Sequence, residues 1–212
     1  MASFFDPERL IEILQPDRCP ICFLVHDYGQ NFLRNLLEES VTDPLTRSRL
    51  LKSRGFCRRH AWNGVGQTQA LGMAVLYSHL IKDGLARAQR TPSVARFLKK
   101  QPPCPVCEAE LEYENIQVKQ FAAGWSQSGT LRAAFETHGL LCLPHLGKIL
   151  PRVKKNSDRY LLLQAAQKAL RPLLKDLNEF LEKQDYHRSK EAMGPEWDAW
   201  IRAVRVVNGE RE

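Results

Sequence analysis

Four sulfur and nitrogen donors occur in this chain twice, at one fixed offset. Cys19-Pro20-Ile21-Cys22 and Cys57-Arg58-Arg59-His60 return 85 residues later as Cys104-Pro105-Val106-Cys107 and Cys142-Leu143-Pro144-His145. Thirty-four residues separate the two halves in each copy, so all four donors keep the same register. Three thiols and one imidazole make the tetrahedral donor set that Zn²⁺ takes in closed structural sites. A chain that must bring such groups together twice is constrained more by them than by its composition.

Other residues keep the offset. Tyr28 matches Tyr113, Arg47 matches Arg132, Leu76 matches Leu161 and Leu85 matches Leu170. Asp43 and Ser128, both good helix N-caps, fall at one place, and so do the breakers Gly66 and Pro151. These matches predict two tandem copies of one supersecondary unit. Each copy is expected to build its own knuckle: Cys19, Cys22, Cys57 and His60 in the first, Cys104, Cys107, Cys142 and His145 in the second. The second site, with Leu143 and Pro144 in place of Arg58 and Arg59, should be the more buried and purely structural.

The periodicity is helical throughout, and no alternating strand pattern occurs. Asp6-Pro7 opens a short helix with Leu10, Ile11 and Leu14 on its apolar face. Val25, Tyr28, Phe32, Leu36 and Leu37 mark a second helix, and Asp43-Pro44 starts a third that runs to about Lys52, with Gly55 supplying the left-handed residue that closes it. A long helix over 67–90 carries Leu71, Ala74, Leu76, Tyr77, Leu80, Ile81 and Leu85. A short linking helix is expected at 93–100. The second copy repeats the plan with helices over 107–125, 131–137 and 157–185, the last interrupted or bent at Pro172. Trp197, Trp200, Ile201 and Val204 then give a short amphipathic tail helix, which either folds back on its own core or docks on another subunit. The expected fold is an all-α helical bundle of two tandem zinc-knuckle repeats. Its segments are an N-terminal helix at 1–18, repeat 1 at 19–103, repeat 2 at 104–185, and a linker with C-terminal helix at 186–212.

All six cysteines belong to the two motifs. In a reducing compartment such spacing reads as metal before disulfide. No apolar run reaches the ~18 residues of a spanning helix, and Met1-Ala2-Ser3-Phe4-Phe5 lacks the basic start of a signal peptide, so a cytoplasmic protein with no membrane role is expected. The net charge of +7 is uneven: residues 1–103 hold 15 Lys or Arg against 9 Asp or Glu, and residues 104–212 hold 16 against 15. Arg47, Arg49, Lys52, Arg54, Arg58 and Arg59 crowd the approach to Cys57, a positive field suited to an anionic partner.

Two structural zinc ions per chain is the first reading of the donors. An iron-sulfur cluster is the alternative, although such clusters are usually held by cysteines alone. A redox-active C-x2-C pair is a third reading, but no βαβ setting accompanies it. Four protein ligands leave no open coordination position, and the extra histidines lack a partnered nucleophile. His26 and His138 read as surface or supporting residues, His79 as a neutral core residue, and His187 lies in the tail. Phosphate-binding glycine loops, H-E-x-x-H and serine-nucleophile motifs are missing, so enzyme activity is unsupported.

With Cys19, Pro20, Cys22, Gly55, Phe56, Cys57 and His60 in view, the chain resembles a bacterial family of uncharacterised proteins carrying C-P-x-C and a G-F-C-x2-H element about 35 residues later. The resemblance implies metal binding and no particular reaction. The function expected is a non-enzymatic zinc-binding scaffold or adaptor, with a protein partner or self-association through Trp197, Trp200, Ile201 and Val204. The alternatives are nucleic-acid binding by the basic face of repeat 1 and an iron-sulfur or thiol redox sensor. Phosphate contacts would supply most of the nucleic-acid affinity, but the basic run lacks interleaved aromatics for base stacking.

Overall fold

Helix caps decide where the chain turns. Asp43 and Ser128 both adopt extended backbone and accept from the amide three residues on, Thr46 at 2.8 Å and Leu131 at 3.2 Å. Helices α3 (Pro44–Ser53) and α7 (Gly129–His138) start there. Proline at the first helical position opens α2 (Pro20–Glu38) and α6 (Pro105–Gln127), where its missing amide is one that no helix bond would use. The remaining helices are α1 (Pro7–Glu12), α4 (Arg58–Gly66), α5 (Ala70–Arg90), α8 (Leu143–Ile149), α9 (Asn156–Lys183) and α10 (Ala199–Asn208). The computed structural model describes residues 7–67, 70–90, 102–185, 188 and 190–210, and the helix expected at 93–100 lies outside them. Among the described residues there is no strand, so the protein is all-α.

The chain forms two compact units, Met1–Leu24 with Glu114–Glu212, and Val25–Tyr113. These are not the continuous segments 19–103 and 104–185 that the repeat suggested, since the division falls within α2 and within α6. In the first unit the core is aromatic. Phe121, Trp125 and Phe135 are fully buried, and Phe135 meets both others edge to face at 5.7 and 5.6 Å. Trp125 Nε1 donates to the Asp158 carbonyl at 2.9 Å, so the buried indole has its partner. Helix α9 runs unbroken through Pro172, and α10 packs along it.

In the second unit Leu33, Leu36, Leu37, Val41, Leu50, Phe56 and Leu76 form the core together with Cys104 and Val106. Tyr28 and Tyr113 stack there, with ring centroids 4.1 Å apart and planes 8° from parallel. The chain leaves α3 through Arg54 at φ 57, followed by Gly55 at φ 100. The left-handed cap expected of glycine is therefore held first by an arginine, and Gly55 carries the next positive φ, placing its amide 2.7 Å from the Leu50 carbonyl.

Two faces read as core are not. On α5, Leu76 is buried but Leu71, Ile81 and Leu85 are 80%, 60% and 61% exposed. His79, expected as a packed neutral histidine, is also exposed and bonds the Val75 carbonyl. In the tail helix the packed residues are Ala199 and Val206, while Trp197, Trp200 and Val204 face outward and Ile201 is half-buried. The helix does fold back on its own unit, but on its small side.

Candidate metal centres

Each half-motif uses one device. Cys19, Cys57, Cys104 and Cys142 stand immediately before the first residues of α2, α4, α6 and α8, and Cys22, His60, Cys107 and His145 sit three places on. Carbonyls of the four leading cysteines accept the first helical bond, from Phe23, Ala61, Glu108 and Leu146 at 3.1, 2.9, 3.1 and 2.9 Å. An N-cap side chain and one three positions later face each other over the helix start, which is why the capping box uses that spacing. Here the pair presents two metal donors, with the helix dipole supporting thiolate charge.

The donors converge, but crosswise. Cys19, Cys22, Cys142 and His145 form one group, and Cys57, His60, Cys104 and Cys107 the other, with donor atoms in each group within 4.8 Å of one another. The first C-x2-C, Cys19 and Cys22, therefore joins the second C-x2-H, Cys142 and His145, and the second C-x2-C joins the first C-x2-H. This corrects the expectation that each repeat closes its own site; neither Cys19 with Cys57 nor Cys104 with Cys142 shares a group. Site 1 (Cys19, Cys22, Cys142, His145) lies wholly in the first unit and site 2 (Cys57, His60, Cys104, Cys107) wholly in the second. All six cysteines are unbridged.

In site 1 His145 Nδ1 lies 3.5, 3.4 and 3.1 Å from the sulfurs of Cys19, Cys22 and Cys142, and Cys22 and Cys142 are 3.7 Å apart. In site 2 His60 Nδ1 lies 3.3, 3.2 and 3.4 Å from Cys57, Cys104 and Cys107, with Cys104 to Cys107 at 3.4 Å and Cys57 to Cys107 at 3.6 Å. Zinc-sulfur bonds of about 2.3 Å put tetrahedral sulfurs about 3.8 Å apart. Both groups could hold a metal ion with little rearrangement.

Two residues that the sequence reading passed over complete the sites. Glu110 Oε1 is 3.0 Å from His60 Nε2, and Glu114 Oε1 is 2.8 Å from His145 Nε2. A carboxylate on the far nitrogen of a ligating imidazole fixes its tautomer and aims Nδ1 at the ion. Each acid is itself clamped by a cation, Glu110 by Arg59 and Glu114 by Lys148 at 2.5 Å. Both acids come from α6, at places where the first copy has Val25 and Gly29. A Cβ at Gly29 would collide with Oε1 of Glu110, so the glycine clears the space the carboxylate occupies. That mid-helix glycine was the available signal, since it asks for a packing reason.

The sulfurs and acids around both imidazoles draw them toward the charged form. Burial pushes the His60 imidazole down, but hydrogen bonds to the Cys104 sulfur and the Glu110 carboxylate carry it up to about 9. At His145 burial is likewise outweighed, by the sulfurs of Cys142, Cys19 and Cys22, and the result is about 12. Burial drives Glu114 up, yet Lys148 and His145 bring it below its ordinary value. Site 1 is the more enclosed: Cys19, Cys142 and His145 are buried and only Cys22 is half-buried, whereas Cys57 and Cys107 are both half-buried at site 2.

The six basic residues near Cys57 do not act as one free patch. Arg47 Nε donates to the Val41 carbonyl at 2.9 Å, and Arg59 is held by Glu110. Arg49, Lys52 and Arg58 are exposed, and Arg54 is half-buried at the α3 cap. His26 is half-buried and His138 exposed, neither in a donor group, while His187 lies outside the described residues.

The fold and the two groups thus define an all-α protein with paired Cys3His centres able to hold metal. The chain belongs to DUF6062, a family of unknown function, whose model spans residues 10–212. No curated protein and no solved structure matches it.

Proposed function

We propose that each quartet binds one zinc ion and that the chain is a non-enzymatic, zinc-stapled helical scaffold for a protein partner. The observation that carries this reading is the convergence of three sulfurs and a carboxylate-oriented Nδ1 in each of two groups, at separations suited to a single tetrahedral ion. Iron-sulfur clusters of several irons spread their protein donors further than 4.8 Å. Four protein donors also leave no position open for a substrate. Each ion joins two helix starts far apart in sequence, Cys22 with Cys142 across 120 residues and His60 with Cys104 across 44. Clips that close long loops remove the most freedom from the unfolded chain.

The docking surface is the outward face of the tail, where Trp197 and Trp200 are 61% and 54% exposed beside Val204. With Arg47 and Arg59 taken up internally, the basic face offers less to a nucleic-acid backbone than its sequence suggested. Six free thiols in metal-type groups suit a reducing cytoplasm. No described helix is long and apolar enough to cross a membrane. Metal analysis of freshly purified protein tests the reading: two zinc per chain in a colourless sample is expected. A brown sample containing iron and acid-labile sulfide would overturn it.

A further inference from the structure

The segment 205–210 runs over site 1. Arg205, Val206 and Glu210 line an interstice whose other walls are Asp17, Cys19, Leu140 and Cys142, and it is too tight to hold a water molecule. Val206 is 5% exposed. Beyond α10, Gly209 takes φ 84, and a Cβ placed there would lie 3.8 Å from Cys22 Sγ, in van der Waals contact. Glu210 then pairs with Arg18 Nε at 3.2 Å, and the Arg18 guanidinium lies 4.3 Å over the Phe23 ring. The segment touches the surroundings of all three sulfurs of one site and is pinned at its far end.

We propose that residues 205–210 form a strap that governs how fast site 1 exchanges its ion, leaving site 2 the more labile of the two. The inference rests on the metal reading above. A closed four-coordinate ion gives way only when a competing donor reaches it or a thiolate swings aside, and both need room that the strap fills. At site 2 the half-buried Cys57 and Cys107 leave two of three sulfurs nearer to solvent. The two ions then have different roles: one fixed, one open to exchange.

Iodoacetamide labelling of the full chain, resolved by peptide mass spectrometry and accompanied by metal analysis of the same samples, tests this. In the native protein Cys22 should react more slowly than Cys57 and Cys107. Glu210→Gln should speed Cys22 about two- to fivefold, the upper range of a partly exposed ion pair, and Glu210→Arg about tenfold by repulsion from Arg18. Gly209→Val, a β-branched residue at positive φ, should do the same by straining the strap. Cys57 and Cys107 should keep their native rates in all three variants. An unchanged Cys22 rate in both Glu210→Arg and Gly209→Val, or an equal rise at Cys57, would overturn the strap. Should the samples hold no metal, the zinc reading fails and the strap has no ion to retain, while the ratio of Cys22 to Cys57 rates in Glu210→Arg still decides whether the strap shields Cys22.

Discussion

Glu110 Oε1 stands 3.0 Å from His60 Nε2, on the opposite side of the imidazole from the three sulfurs. The acid is four residues from Glu114 on α6, and Glu114 does the same for His145. Carboxylates in this place hold the ring and raise its basicity without touching the ion. Glu110→Gln and Glu114→Gln should each lower zinc affinity by about 10- to 100-fold at one site and leave the other unchanged. Competition with a chromophoric chelator would show one weakened zinc per chain in each variant.

Gly29 supplies a second test of the same contact. Replacing a mid-helix glycine by alanine ordinarily adds up to ~1 kcal/mol to helix stability. Here the added Cβ collides with Glu110, which must leave His60 or shift the helix. Gly29→Ala is therefore expected to lower the melting temperature of the zinc form and weaken site 2. A gain in melting temperature would mean that the carboxylate moves aside without consequence.

The tail carries a pH dependence of its own. Glu196 accepts from the Gly194 amide at 2.7 Å and from Lys183 Nζ at 2.6 Å, and these bonds hold its carboxyl at about 2, below the ordinary 4.5. A carboxyl depressed in the folded state stabilises it fully above the ordinary value, and that stability is lost as pH falls through about 2. The native protein should thus melt above Glu196→Gln at pH 6, and the gap should close as pH falls from about 4.5 to about 2. A gap independent of pH would show that the carboxylate charge contributes nothing at this position.

Helix starts were legible because caps are local: Asp43 and Ser128 carry their own hydrogen bonds to Thr46 and Leu131. The eight donors were legible for the same reason, each pair being an N-cap and the residue three later. Their pairing was not. Cys22 is followed at the same distance by Cys57 whether or not the two meet, and nothing in either half-motif records which copy of the other half it joins. That choice is made by long-range packing, as in Tyr28 against Tyr113. The α5 stripe misled for a related reason: Leu71, Ile81 and Leu85 have core periodicity but lie exposed. Glu110 and Glu114 stand where the 85-residue offset gives Val25 and Gly29, so no repeated residue marks them in the sequence.

The crossed pairing can be read from zinc stoichiometry in two double variants. Cys22→Ser with Cys142→Ser damages one site twice, whereas Cys22→Ser with Cys57→Ser damages both. The proposed zinc sites, paired crosswise, predict one tightly held zinc in the first variant and none in the second. One zinc in Cys22→Ser/Cys57→Ser and none in Cys22→Ser/Cys142→Ser would mean that each copy closes on itself, and would contradict the account at its centre.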